Sequence, residues 1–80
     1  MLIKNIKNNM KLAISKFDGF DIKELSTGFS FRCKDVRSIN EEVVEYELLY
    51  NEADDIIYSK KGDSIRNSWD SKSFVSIFNS

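Results

Sequence analysis

The chain is expected to fold as a single α+β domain spanning residues 1–80, with an N-terminal amphipathic helix, a three- to four-stranded antiparallel sheet and one or two short C-terminal helices. Three observations lead there. Apolar residues recur every three or four positions as far as Phe17, the period drops to two from Phe20, and helix-like spacing returns in the last segment. A chain of this size buries roughly 60% of its unfolded surface, which supports one small core and no second lobe.

From Leu2 to Phe17 the apolar stripe is Ile3, Ile6, Met10, Ala13, Ile14 and Phe17, while lysines and Asn5, Asn8 and Asn9 fill the other face. Gly19 follows the last turn and can take the left-handed conformation that closes a helix, with Lys16 near the negative end of its dipole. Phe20 and Ile22 then alternate with Asp21 and Lys23, and Phe29, Phe31 and Cys33 with Ser30, Arg32 and Lys34, giving two strands. Ser26-Thr27-Gly28 supplies the turn of a hairpin, with Gly28 available for a positive φ.

A third strand is expected over Val43–Tyr50, with Val44, Tyr46, Leu48 and Tyr50 toward the helix and Glu45 and Glu47 toward water. Asn51–Asp55 reads as a turn, and Ile56-Ile57-Tyr58 begins a fourth short strand that ends near Lys60-Lys61-Gly62. In the tail from Ser64 to Ser80, Ser64 and either Asp70 or Ser71 are candidate caps. Ile65, Trp69, Phe74, Ile77 and Phe78 follow them at helical spacings. Helices on one sheet face leave the other, with Asp21, Lys23, Ser30, Arg32, Lys34, Glu45 and Glu47, in water.

Charge is segregated along the chain. Met1–Arg37 holds eight bases and four acids, Ser38–Tyr58 seven acids and no base, and Ser59–Ser80 four bases and two acids. The acidic run consists of Glu41, Glu42, Glu45, Glu47, Glu52, Asp54 and Asp55, on a chain whose net charge is only −1. Such a field acts on association and partner choice rather than on fold. Most charge runs are simply solvated faces, so the run needs a geometric reason to count as a site.

The composition argues against catalysis. Histidine, the commonest general base and metal ligand, is absent, and the single Cys33 can neither assemble a thiolate zinc site nor form an internal disulfide. Cys33 alternates with Phe29 and Phe31 on the expected core face, which favours an inert buried thiol in a reducing compartment. Gly19, Gly28 and Gly62 are isolated, so no glycine loop cradles phosphate. Glu52, Asp54 and Asp55 lack the ligand spacing of a calcium loop. No cofactor and no metal are expected. Lysines interrupt the first segment at every turn, so neither a signal peptide nor a spanning helix is expected, and the assignment is cytoplasmic. The lack of Pro and the abundance of Lys, Asn, Ile and Ser fit an A/T-rich bacterial or phage genome.

Recognition is the class of function that remains. Glu45 and Glu47 on one strand face are about 6.8 Å apart by the standard strand rise, of the order of the spacing between successive backbone phosphates. Carboxylates ranged in this way can receive charge-assisted hydrogen bonds from a partner's lysines and arginines. Tyr58, Tyr50 and Trp69 are the available aromatic anchors, each weighed against an ordinary place in the core. The partner-binding set is therefore Glu41, Glu42, Glu45, Glu47, Glu52, Asp54, Asp55 and Tyr58.

An N-terminal amphipathic helix, a small antiparallel sheet, a helical tail and acids such as Glu45, Glu47, Asp54 and Asp55 in so short a chain resemble the small phage-encoded anti-CRISPR and other anti-defence proteins. The resemblance covers the whole chain and rests on no motif. It implies a stoichiometric inhibitor that occupies a basic, nucleic-acid-binding surface of a larger nuclease, inside a bacterial cell or infected host cell. Two other readings stand beside it. One is a nucleic-acid-binding module using Lys4, Lys7, Lys11 and Arg32 or Lys34, which lacks stacking aromatics among those residues. The other is a homo-oligomer that pairs through an edge strand or the aromatic tail.

Overall fold

The structure is a computed structural model that describes residues 3–34, 39–40 and 42–78. Leu2, Glu41 and Ser80, which figure in the expectations above, lie outside the described residues. The elements are α1 (Ile3–Lys16), β1 (Phe20–Leu25), β2 (Gly28–Lys34), β3 (Val43–Asn51), β4 (Ile56–Lys61), β5 (Ser64–Asp70) and α2 (Ser71–Phe78). The five strands form an open antiparallel meander in the order β1-β2-β3-β4-β5, with both helices on one face. The α+β class, N-terminal helix and C-terminal helix are as expected. The sheet has five strands where three or four were expected.

The extra strand is β5. Ser64 does not cap a helix. Lys61 pairs with Ser64 across the two-residue loop Gly62-Asp63, and Gly62 has a φ of +61°, as a tight hairpin loop requires. The second candidate cap does serve: the Asp70 carboxylate accepts a hydrogen bond from the Ser73 N–H at 2.7 Å and starts α2. Ser71, Phe74 and Phe78 form the buried stripe of that helix.

Ile6, Met10, Ala13 and Ile14 of α1 are fully buried against Phe29, Phe31, Cys33, Leu48, Tyr50 and Ile57 of the sheet and Phe74 and Phe78 of α2. Phe17 ends the stripe half-exposed, edge-on to Phe78 at 5.7 Å between ring centroids. Trp69 packs edge-on against Phe74 and Phe78, at 5.4 and 5.9 Å, and so belongs to the aromatic layer beneath α2.

Two glycines work by a different physics from the one expected. The residue in the left-handed region after α1 is Asp18, with φ 58°, followed by Gly19. The Asp18 N–H bonds the Ser15 carbonyl at 3.1 Å and the Gly19 N–H bonds the Ile14 carbonyl at 2.9 Å, which is a Schellman closure. Gly19 is required for space, because a Cβ there would lie 2.5 Å from Ile14 Cγ2 and 2.9 Å from Phe31 Cδ2. Gly28 likewise has no positive φ, and its hydrogen faces the Leu48 carbonyl so closely that any side chain would strike it.

The alternation expected of β1 is broken by a bulge. The pairings Phe20↔Arg32 and Lys23↔Ser30 leave Asp21 and Ile22 sharing one position, and Asp21 takes a φ of 52°. Phe20 and Ile22 are consequently half-exposed on this edge strand.

Candidate partner-binding surface

β3 is the central strand, and its odd and even residues lead different lives. Leu48 and Tyr50 enter the core, with Val44 and Tyr46 packed against it. Glu45, Glu47 and Leu49 point to the opposite, helix-free face, as the alternation predicts. Across from Glu45 stands Arg32, and across from Glu47 stands Lys60, each directly opposite in register. Among the described residues neither glutamate forms an ion pair within 4.0 Å. Directly opposed side chains nevertheless sit about 5 Å apart at Cβ, so the carboxylates meet a partly compensated field. The outer face is therefore mixed in sign rather than uniformly acidic.

The rest of the acidic run is dispersed. Glu42 precedes β3 and Glu52 follows it, so the nine residues of that strand separate them by about 33 Å. Asp54 is turned into its own loop, where its carboxylate accepts a hydrogen bond from Asn51 Nδ2 at 3.2 Å. Asn51 Oδ1 accepts from the Ala53 N–H at 3.0 Å, closing the same turn.

Asp55 faces the protein's own body. Its Oδ1 accepts the Tyr50 hydroxyl hydrogen at 2.7 Å, its Oδ2 accepts from Ser71 Oγ at 2.8 Å, and its carbonyl accepts from the Ser71 N–H at 3.2 Å. These bonds join the β3–β4 turn to the start of α2. The Tyr50 hydroxyl first and Ser71 second hold the Asp55 carboxyl below its ordinary pKa of 3.8, and the same bond to Asp55 raises Tyr50 above its ordinary 10.0. Asp55 is thus a latch, and a left-handed φ of 54° sets its position.

The structure therefore brings together Glu45, Glu47 and Tyr58 from the expected set, and sends Glu42, Glu52, Asp54 and Asp55 to the strand ends or into internal bonds. It adds residues that the reading of the acidic run missed. Tyr58 lies opposite Leu49 on the outer face and is flanked there by Ile56, Lys60, Asp63, Ile65 and Ser68, which line a shallow hollow of about 480 Å³. Ile65 is 64% exposed. A second, more polar hollow of about 380 Å³ lies over Asp21, Ile22, Lys23, Ser30, Arg32 and Glu45. Arg32 reaches Asp21 there, with Nη1 3.8 Å from Oδ2. The signal for the first hollow was present as strand alternation at Leu49, Ile56 and Tyr58, and was hidden at Ile65 by the helical reading of β5.

The lysine-rich helix is tied inward. Lys7 Nζ donates to the Leu25 carbonyl at 2.8 Å and sits 3.4 Å from Glu24 Oε2, so it straps α1 to β1. Lys7 and Lys11 also stand 5.9 and 5.6 Å from the centre of the Phe29 ring. A nucleic-acid reading that relies on Lys7 must first break these contacts.

Among the described residues no group of three or more His, Cys, Asp or Glu side chains is placed to hold a metal ion, and no helix is long and apolar enough to cross a membrane. Comparison with protein-family models, with curated proteins and with solved structures found no match.

Proposed function

We propose that this chain is a non-catalytic protein-binding module that blocks a larger partner stoichiometrically, with the helix-free face of its sheet as the docking surface. One observation carries the reading. The outer face combines an apolar floor of Leu49, Ile56, Tyr58 and the 64%-exposed Ile65 with outward carboxylates at Glu45 and Glu47 that have no ion-pair partner among the described residues. An apolar centre with charged groups around it is the anatomy of a protein interface, and Tyr58 is a rigid anchor of the kind that concentrates binding energy.

The partner presents cations to Glu45 and Glu47 and an apolar or aromatic side chain to the Tyr58 hollow. The nucleic-acid groove of a CRISPR effector or another defence nuclease is a surface of that class, and the likeness to anti-defence proteins favours it. Such a groove is lined with lysine and arginine, so steering would speed encounter and salt would weaken the complex.

The test is a titration of the protein into guide-loaded effectors while target-DNA retention is measured. DNA binding should fall to zero at one equivalent and recover as salt rises. Glu45→Gln with Glu47→Gln, and separately Tyr58→Arg, should weaken inhibition, while Lys4→Gln on the helix leaves it unchanged. The glutamine pair should alter stability by no more than about 0.5 kcal/mol, as expected of surface changes. Gel-shift retention of DNA by the isolated protein, or inhibition indifferent to the outer-face variants, would overturn the reading.

A further inference from the structure

The two edges of the sheet are not equivalent. On the β1 edge, the bulge at Asp21 and Ile22 interrupts the ladder in the first half of the strand. A bulge of this kind is a device that keeps an edge strand from pairing. The β5 edge has its bulge near the other end. Ser59 pairs with Asn67 and Lys60 with Ile65, so Arg66 is the extra residue, and Asn67–Asp70 continues as regular strand.

The hydrogen-bond phase of that strand is set by Ser71, whose N–H bonds the Asp55 carbonyl at 3.2 Å on the β4 side. Backbone groups alternate in direction along a strand, so Trp69 and Asn67 also turn toward β4. Ser68 and Asp70 then turn their N–H and C=O groups to the open edge.

We infer that β5 is a self-pairing edge: two copies of the chain join antiparallel through β5 about a two-fold axis at Ser68, forming one continuous ten-stranded sheet. In this register Ser68 faces Ser68, and Arg66 faces Asp70 on both sides of the axis. The outward backbone groups of Ser68 meet those of its copy across the axis, and Arg66 and Asp70 of each copy contribute one cation and one anion to symmetric side-chain pairs. Arg66 is exposed and has no ion pair among the described residues. Asp70 keeps its negative charge well into the acid range, because the Ser73 N–H and hydroxyl hold its pKa below 3.8. Opposite charges directly across a strand pair stabilise it, and like charges oppose it.

A two-fold axis normal to the sheet leaves both helix layers on one side and joins the two outer faces on the other. The hollows beside Ile65 are then brought next to each other. The pairing does not depend on the docking reading, since it rests on edge backbone groups and the Arg66–Asp70 charges; Ser68, whose side chain lines the Tyr58 hollow, takes part through its backbone.

Sedimentation equilibrium over a wide concentration range provides the test. The wild-type chain should rise from 9.3 kDa toward twice that mass. Ser68→Pro removes an outward N–H that the single chain does not use, and should remain at the single-chain mass with an unchanged circular dichroism spectrum. Arg66→Glu should weaken association, with partial recovery in high salt.

Should Ser68→Pro unfold, Ser68→Cys decides independently. Hydrogen-bonded antiparallel partners lie about 5.5 Å apart at Cα, within the roughly 4.4–6.8 Å that a disulfide spans. Ser68→Cys should therefore give a covalent dimer under mild oxidation, with the wild type and its buried Cys33 as control. A single-chain mass at every concentration, or a Ser68→Cys variant that does not cross-link, would overturn the inference.

Discussion

Leu48 and Leu49 are identical in composition and adjacent in sequence, yet they belong to opposite faces of one sheet. Leu48 is 1% exposed, between Phe29 and Ser59 under the helices, whereas Leu49 is only partly covered, between Gly28 and Tyr58 on the helix-free side. The inner face is closed by α1 and α2 and contributes stability. No element among the described residues roofs the outer face, which is available for contact. The same division separates the acids: Asp55 is bonded to Tyr50 and Ser71, while Glu45 and Glu47 point outward. Position relative to the pleat, rather than residue type, assigns each side chain its role.

The sharpest way to break that comparison is to truncate both leucines. Leu48→Ala should cost about 3 kcal/mol through lost burial and a residual cavity, a large part of the roughly 5 kcal/mol available to a domain of this size. Leu49→Ala should cost less than about 1 kcal/mol by the same area argument. Urea unfolding of the two variants measures the difference directly, and equal losses would mean that the outer face is covered after all.

Gly28→Ala comes next. The new methyl group would meet the Leu48 carbonyl and lie 3.0 Å from the Leu49 Cα, backbone atoms that can move only by displacing β3 from β2. Overpacking of this kind costs about 1–3 kcal/mol. The spectroscopic signature should be a loss of amide-exchange protection along both strands. A variant with wild-type protection would show that the sheet has room there.

The smallest of the three concerns the latch. A carboxylate whose folded pKa is depressed contributes stability above its ordinary value and loses that contribution as pH falls through the folded value. Asp55 and Asp70 both fit this pattern, so their share should vanish below about pH 4, the ordinary carboxylate range. Asp55→Asn should lower the thermal midpoint by several degrees at neutral pH, and the gap from wild type should close in acid. Tyr50 works in the opposite sense. Its raised pKa gives stability that is complete below 10.0 and is lost as pH rises beyond it. An alkaline limb that persists unchanged in Asp55→Asn would remove the hydroxyl–carboxylate bond from this account.

Much of the fold was legible because each local period reports its own burial. The stripe Ile6, Met10, Ala13, Ile14 is the buried face of α1, and the alternation of β2 and β3 placed Phe29, Phe31, Cys33, Leu48 and Tyr50 inside. β5 was misread because Ile65 and Trp69 lie four residues apart, a spacing that suits one face of a helix, whereas the bulge at Arg66 sets Ile65 opposite Lys60 on the outer face and Trp69 opposite the buried Ile57. Gly62-Asp63 between two runs was the hairpin signal that should have outweighed the helical spacing. Of the candidate site, the outward direction of Glu45 and Glu47 could be read from the chain. The inward engagement of Asp55 could not, because its partner Ser71 lies sixteen residues away.

Taken alone, the sequence determined the periods of α1, β2 and β3, the Asp70 cap and the exclusion of histidine-based chemistry, since these follow from neighbours within a few residues and from composition. Tertiary structure decided which acids share a surface. Strand pairing set Arg32 and Lys60 across from Glu45 and Glu47, and the turn after β3 carried Asp55 to α2. Charge counted along a chain is one-dimensional, whereas the field a partner meets is summed over neighbours that only the sheet brings together.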